Sequence, residues 1–235
     1  MADQQITERQ VNFPGQACTI DAHLAEPADV SSAPAIIVIQ EWWGLNDHIR
    51  DVARRFAREG YIAIAPDLYS RQGHKVANDP NTAAQLMGGL KTPDGIADLK
   101  TTIEWLRNQK RTRASKIGVI GFCMGGSYAL LLPCESKEIS AAAPFYGEIP
   151  QASKIHDLAC PIFYAYGEND GWIQRRDVDR LAKELKELGK RGEVKIYPGC
   201  SHGFFNDTRS DVYDAGPAKD AWGRALKLFS ENLKS

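Results

Sequence analysis

The run Gly121-Phe122-Cys123-Met124-Gly125-Gly126 sets a thiol among glycines. It follows the β-branched stretch 116–121 (KIGVIG) and precedes a helical run over 127–132. A strand, a tight turn and a helix in this order form a nucleophile elbow, which holds a reactive side chain out on a sharp bend. The bend is strained, and bulk two positions to either side would meet the neighbouring strand and helix. Gly121 and Gly125 occupy those two places. At a helix start, unpaired N–H groups and the positive end of the dipole favour a thiolate. The Met124 N–H is then a candidate oxyanion donor. The competing reading of Cys123 is a buried core thiol, a common state of free cysteine; the glycine frame favours the nucleophile. A dinucleotide loop fails because Cys123 stands where the second glycine belongs, and a P-loop fails for want of GK[ST].

A thiol nucleophile needs a base, and the base needs an orienting acid, in the chain order nucleophile, acid, histidine. After Cys123 only His156 and His202 remain as bases. His202 follows the last expected strand at its C-terminal end, whereas His156 lies before a strand, so His202 is favoured. The acid is expected after the penultimate strand, in Gly167-Glu168-Asn169-Asp170-Gly171. Glu168 and Asp170 both qualify by position, and Asp170 is preferred because the turn must return the carboxylate toward the neighbouring strand end. The second oxyanion donor should come from backbone after the first buried strand, where Gln40-Glu41-Trp42-Trp43-Gly44 supplies the Trp42 N–H. Glu41 is either a solvated loop charge or a carboxylate near Cys123 that competes with His202 for the thiol proton.

The elements that must position these groups are legible as alternation. Strands are expected over 34–40 (PAIIVIQ), 61–65, 116–121, 139–145, 161–166 and 193–197. Between them, Ile49, Val52, Ala53, Phe56 and Ala57 mark a helix over 46–60. Ile96, Leu99, Ile103 and Leu106 mark a second, and Val178, Leu181, Leu185 and Leu188 a third. The final stretch, 218–233, is helical with Ala221, Trp222, Ala225, Leu226 and Phe229 on one face. Such alternation implies an α/β fold: a mostly parallel central sheet with helices on both faces. Segments 11–14 and 17–24 flank Gly15-Gln16 and read as an antiparallel hairpin added at the sheet edge. The polar segment 71–95 breaks the rhythm around a short helical stretch, 82–90. It follows a strand's C-terminal end, so it either lines a substrate pocket or is a passive insertion.

Composition narrows the function classes. The 235 residues carry 29 basic and 30 acidic side chains, without the basic excess that tracks phosphates, so no nucleic-acid partner is expected. No apolar run approaches a membrane span and the N-terminus lacks a signal-peptide core, so neither membrane nor export is expected. Five scattered cysteines without a CxxC suggest free thiols in a reducing compartment, which makes the expected location cytoplasmic. No metal site and no cofactor are expected. With no internal composition shift and no repeat, one domain over 1–235 is expected.

Taken together, Gln40-Glu41 with Gly44, Pro66-Asp67-Leu68-Tyr69, the Cys123 elbow, Tyr146-Gly147, Gly167 with Asp170, and His202-Gly203-Phe204 resemble the dienelactone hydrolase (carboxymethylenebutenolidase) family of the α/β-hydrolase superfamily. The resemblance covers nearly the whole chain. It implies an α/β-hydrolase fold, a Cys123–His202–Asp170 triad, oxyanion donors at Met124 and Trp42, and a role for Glu41 in holding the resting thiol. It implies hydrolysis of a small lactone or activated ester through an acyl-thioester, with a broad carboxylesterase on the same triad as the alternative. A non-catalytic binding module is disfavoured by the intact triad. Trp43, Tyr146 and Phe204, with Trp42 and Met87, are expected to line an aromatic substrate cleft. Well-known family members grip a substrate carboxylate with arginines in the long loop and just past the histidine. Here the position four after His202 is Asn206 and 72–90 holds no arginine, leaving Arg71, Lys75, Lys91 and Arg209 as candidate cations. A monomer or weak oligomer is expected.

Overall fold

The N-terminal hairpin pairs β1 (Ile6–Pro14) antiparallel with β2 (Thr19–Pro27), Val11 opposite Ala22. Its connection is four residues rather than the expected Gly15-Gln16, because the Gly15 N–H closes on the Cys18 carbonyl at 2.8 Å. The computed structural model describes residues 4–234, which form two compact units dividing between Gly118 and Val119.

In the first unit, β3 (Ala33–Ile39) is buried along its full length, as its β-branched run requires. Helix α1 (Asp47–Arg58) starts where the Asn46 side chain accepts the Ile49 N–H at 3.2 Å. It buries Ile49, Val52, Ala53, Phe56 and Ala57 and stops at Gly60, whose φ is +84°. Strand β4 (Ile62–Pro66) pairs parallel with β3 and antiparallel with β2, which gives the order β1-β2-β4-β3. The expected loop 71–95 is largely helical instead. A 3₁₀ turn (Ser70–Gln72) leads to α2 (Pro80–Gly89), capped by Asp79, and α3 (Thr92–Arg107) begins within the segment read as polar connection. Pro93 marks that start: proline suits a first helical turn, which needs no N–H from it. Strand β5 (Thr112–Phe122) begins in the first unit and ends in the second.

In the second unit, α4 (Met124–Glu135) starts directly after Cys123. It is followed by β6 (Ala141–Phe145), α5 (Ala152–His156), β7 (Ile162–Asn169), α6 (Arg175–Glu187), β8 (Gly192–Ser201) and α7 (Ala215–Leu233). The strands run in the order β5-β6-β7-β8, with β6 to β7 and β7 to β8 parallel. Leu188, read as part of the α6 stripe, lies past its last turn and is exposed. Strands β7 and β8 both outrun their expected ends. Residues expected to turn at 167–169 remain paired, with a register shift between Gly167 and Asn169. Gly167 opposes Tyr197 while Asn169 opposes Ser201, a bulge that bends the two strand ends together.

Candidate active site

Cys123 sits at φ 57° and ψ −121°, a conformation that side-chain-bearing residues rarely adopt. Two contacts around it hold the bend. Its N–H donates to the Phe145 carbonyl at 3.1 Å, and its carbonyl accepts the Ser127 N–H at 3.2 Å. A side chain at Gly121 would land on the Gly125 carbonyl, so the two flanking glycines meet backbone to backbone. Gly126 also lacks room for a side chain, being seated against the Phe145 carbonyl and Gly147. That contact lies between helix start and strand end, and the spacing around the cysteine does not announce it. Met124, the first residue of α4, is buried.

The bulge between β7 and β8 decides the acid and the histidine. Asn169 and Ser201 are paired, so the next residues, Asp170 and His202, emerge side by side. His202 Nδ1 lies 2.8 Å from Asp170 Oδ2. The Asp170 side chain is fully buried, and its Oδ1 accepts the N–H groups of Trp172 and Ile173, both at 2.8 Å. Three bonds therefore hold one carboxylate in one orientation. Glu168, the other acid candidate, is exposed and accepts the Gly199 N–H at 3.2 Å. His156 is on the surface at the end of α5. The other ring nitrogen, Nε2, is buried and has no hydrogen-bond partner among the described residues.

Aromatic rings confine the imidazole. Tyr146 meets it edge-on at a centroid distance of 5.0 Å and Trp172 at 5.2 Å. Sequence reasoning missed Trp172, although an aromatic two positions past the acid was its visible signal. Tyr146 is itself held at φ 40° by donating its N–H to the Ala165 carbonyl. Tyr146 and Phe204, expected to line a substrate cleft, are both fully buried. Phe204 packs between Tyr146 and Tyr197.

In the first unit, Glu41 is 3% exposed, which removes its reading as a solvated loop charge. Trp42 and Trp43 are half-buried and meet edge to face at 5.0 Å. Two of the four candidate carboxylate-gripping cations, Arg71 and Arg209, are engaged elsewhere. Arg71 donates twice to Asp98, at 3.0 and 2.6 Å, and Asp98 is 1% exposed. Arg209 pairs with Asp211. Asn206 is buried and accepts from Thr208 N and Oγ1 at 3.1 and 2.7 Å. Lys75 and Lys91 are exposed.

Among the other cysteines, burial pushes the Cys134 and Cys160 thiols up to about 12. Burial with the nearby Asp214 carboxylate pushes Cys200 up to about 11. Among the described residues, no cluster of metal-ligating side chains is present and no helix is long and apolar enough to cross a membrane.

Comparisons with known proteins address the whole arrangement. The model of the dienelactone hydrolase family matches residues 20–233. A protein of Aquifex pyrophilus named "Protein usf" is 35% identical over 96% of this chain and 99% of its own length. A "Putative carboxymethylenebutenolidase" of Aquifex aeolicus is 32% identical over 96% and 99%. The crystal structure titled "Putative Dienelactone Hydrolase" from Klebsiella pneumoniae is 30% identical, covers 97% of this chain and 99% of that one, and superposes with a TM-score of 0.89. A dienelactone hydrolase-like promiscuous phosphotriesterase from metagenomic libraries, 22% identical with a TM-score of 0.88, shares the fold over 97% of this chain and 98% of its own. With an α/β-hydrolase fold and a family model spanning almost its full length, this chain belongs to the dienelactone hydrolase family and is a carboxylic ester hydrolase acting on a small-molecule ester.

Proposed function

We propose that this chain hydrolyses small uncharged lactones or activated esters through an acyl-thioester on Cys123. The observation that carries the reading is the Asp170–His202 pair, in which the histidine Nε2 is buried and has no hydrogen-bond partner among the described residues. His202 takes the thiol proton as the sulfur attacks the carbonyl carbon. The carbonyl π pair moves onto oxygen, where the N–H groups of Met124 and Trp42 receive it. Collapse expels the alcohol or enolate oxygen, which takes the proton from His202, and leaves the thioester. His202 then accepts a proton from water as the hydroxyl attacks the thioester. The acid leaves and the thiol regains its proton. Asp170 stays ionised and holds the ring. Glu41 holds the resting thiol until substrate binds, and Trp43 contributes to the substrate wall. The chain acts as one hydrolase domain, as a monomer or weak oligomer in a reducing cytoplasm, with no cofactor.

A broader carboxylesterase is the second reading, favoured by one observation. Arginine binds carboxylates as a two-pronged donor, and Arg71 already spends both prongs on Asp98. A substrate carrying its own carboxylate therefore has only exposed lysines among the candidate cations. Steady-state hydrolysis of a neutral aryl ester, an enol lactone and a carboxylate-bearing lactone by the wild type and Cys123→Ala tests both readings. Turnover lost by at least about a hundredfold in Cys123→Ala, with an acyl adduct on Cys123 seen by mass spectrometry in the wild type, is expected. Activity that survives the substitution overturns the thiol mechanism.

A further inference from the structure

Helix α1 packs on the edge hairpin, and the two periodicities match there. Successive strand residues face opposite sides, so Glu8, Gln10 and Asn12 of β1 share one face. Pairing with β2 places Asp21 opposite Asn12 on that face. Arg50 and Arg54 stand one turn apart on α1 and meet successive positions of it. Arg54 Nη1 donates to Glu8 Oε2 at 3.2 Å. Gln10, with its amide nitrogen donating to the Ala22 carbonyl at 3.0 Å, turns its amide oxygen to Arg50 Nη1. One arginine therefore meets a carboxylate and the other a neutral amide. Among the described residues no carboxylate pairs with Arg50, which is half-buried.

Arg50 lines a cavity of about 400 Å³, a size that holds a small molecule. Asp21, Asp67, His74 and Val76 line it too, and every lining residue falls within 10–76 of the first unit. The buried Asp67 is already served. Its Oδ1 accepts the Tyr69 N–H at 2.9 Å, and its Oδ2 lies 3.4 Å from His74 Nδ1. His74 Nδ1 is also 3.4 Å from Asp21 Oδ2, which leaves the second oxygen of the half-exposed Asp21 carboxylate available. The wall around His74 is seated. The His74 N–H donates to the Tyr69 carbonyl at 3.2 Å and the Ala77 N–H to the Trp43 carbonyl at 2.8 Å. A side chain on Gly44, at φ +97°, would meet the Lys75 carbonyl at 2.7 Å and Val76 Cα at 3.4 Å. The cavity is therefore preformed, which lowers the cost of filling it.

We propose that this cavity binds a short organic carboxylate carrying a hydrogen-bond donor, ammonium or hydroxyl, at its other end: Arg50 takes the carboxylate and Asp21 accepts from the donor. A guanidinium that is partly out of water and has no carboxylate of its own matches a planar anion with two parallel N–H groups. A plain anion would also face the Asp21 and Asp67 carboxylates, and like charges disfavour it. A donor at the far end turns Asp21 from a repelling group into a partner. Cys123, Asp170 and His202 do not line the cavity, so this site stands or falls independently of the acyl-thioester mechanism.

Calorimetric titration of the full chain with ω-amino acids from glycine to 6-aminohexanoate, ω-hydroxy acids of the same lengths and the unsubstituted acids tests this. At the best length, one of the two donor-bearing acids is expected to bind one-to-one and at least about tenfold tighter than the unsubstituted acid. The amino and hydroxy arms distinguish the two donors. Arg50→Gln, which removes the two-pronged donor, is expected to weaken that binding by at least about tenfold. Asp21→Ala is expected to erase the advantage of the donor-bearing acid over the unsubstituted one. Thermal melts establish that each variant is folded, and should Arg50→Gln not fold, Asp21→Ala decides alone. Absence of saturable binding by every acid overturns the proposal. So does wild-type affinity in a folded Arg50→Gln, or a donor advantage that survives Asp21→Ala.

Discussion

His202 Nδ1 meets Asp170 Oδ2 at 2.8 Å because the residues just before them, Ser201 and Asn169, are paired across β8 and β7 beyond a bulge. The acid and the imidazole are thus placed by strand register and not by a flexible loop. The Trp172 and Ile173 N–H groups take the other carboxylate oxygen, so the acid cannot turn away.

Asp170→Asn keeps an oxygen for those two N–H groups but sets an amide against the imidazole, favouring the wrong tautomer. Ester turnover is expected to fall by about 10³–10⁴ in kcat with the fold retained. Steady-state kinetics beside a thermal melt checks this; a variant within about tenfold of wild type contradicts the role of Asp170.

Thiol reactivity should be selective. The Cys134 and Cys160 thiols are pushed up to about 12 by burial, and at pH 7.5 they hold almost no thiolate. Limited iodoacetamide treatment followed by peptide mass mapping is expected to label Cys123 first and to abolish activity in proportion. Equal labelling of Cys134 and Cys123 would count against an activated nucleophile.

The elbow tolerates no side chain at Gly121. Gly121→Ala drives a methyl into the Gly125 backbone, which cannot swing aside as a flexible side chain can. A loss of about 3 kcal/mol or more is expected, seen as a lower denaturation midpoint or as failure to fold. Gly171→Ala, where an added Cβ meets nothing within 4 Å, is the control and should lie within about 0.5 kcal/mol of wild type.

Stability should fall on mild acidification, in part through His23. Burial on β2, with Arg50 adding to it, holds its imidazolium pKa below 6.5. The unfolded chain therefore takes up the proton first. The His23 contribution is fully present above pH 6.5 and is lost as pH falls through the lowered folded value. Melting temperatures at pH 7.5 and 5.5 are expected to differ more for the wild type than for His23→Leu. An identical pH dependence in the two proteins would exclude His23 as a source.

A neutral ester should be preferred over the same ester carrying a carboxylate, because the Arg71 guanidinium is occupied by Asp98. Comparison of kcat/KM for the pair checks this, and a preference of tenfold or more for the anion, about 1.4 kcal/mol, would contradict it.

The alternation of β-branched runs with helical stripes was legible in the chain, since apolar periodicity reports a buried face directly. So were the Cys123 elbow, where a positive φ and close backbone approach demand glycine neighbours, and the placing of His202 after the last strand. Three things were decided only in three dimensions. Asp170 rather than Glu168 meets the histidine because a register shift, a long-range pairing property, sets which carboxylate faces inward. Tyr146 meets the His202 ring, and Phe204 meets Tyr146 and Tyr197, through contacts between segments far apart in the chain. Arg71 was lost to substrate because its partner, Asp98, lies 27 residues away, on a helix whose first turn looked like loop. Local sequence encodes local conformation and the buried face; which polar groups meet is set by contacts between segments distant in the chain.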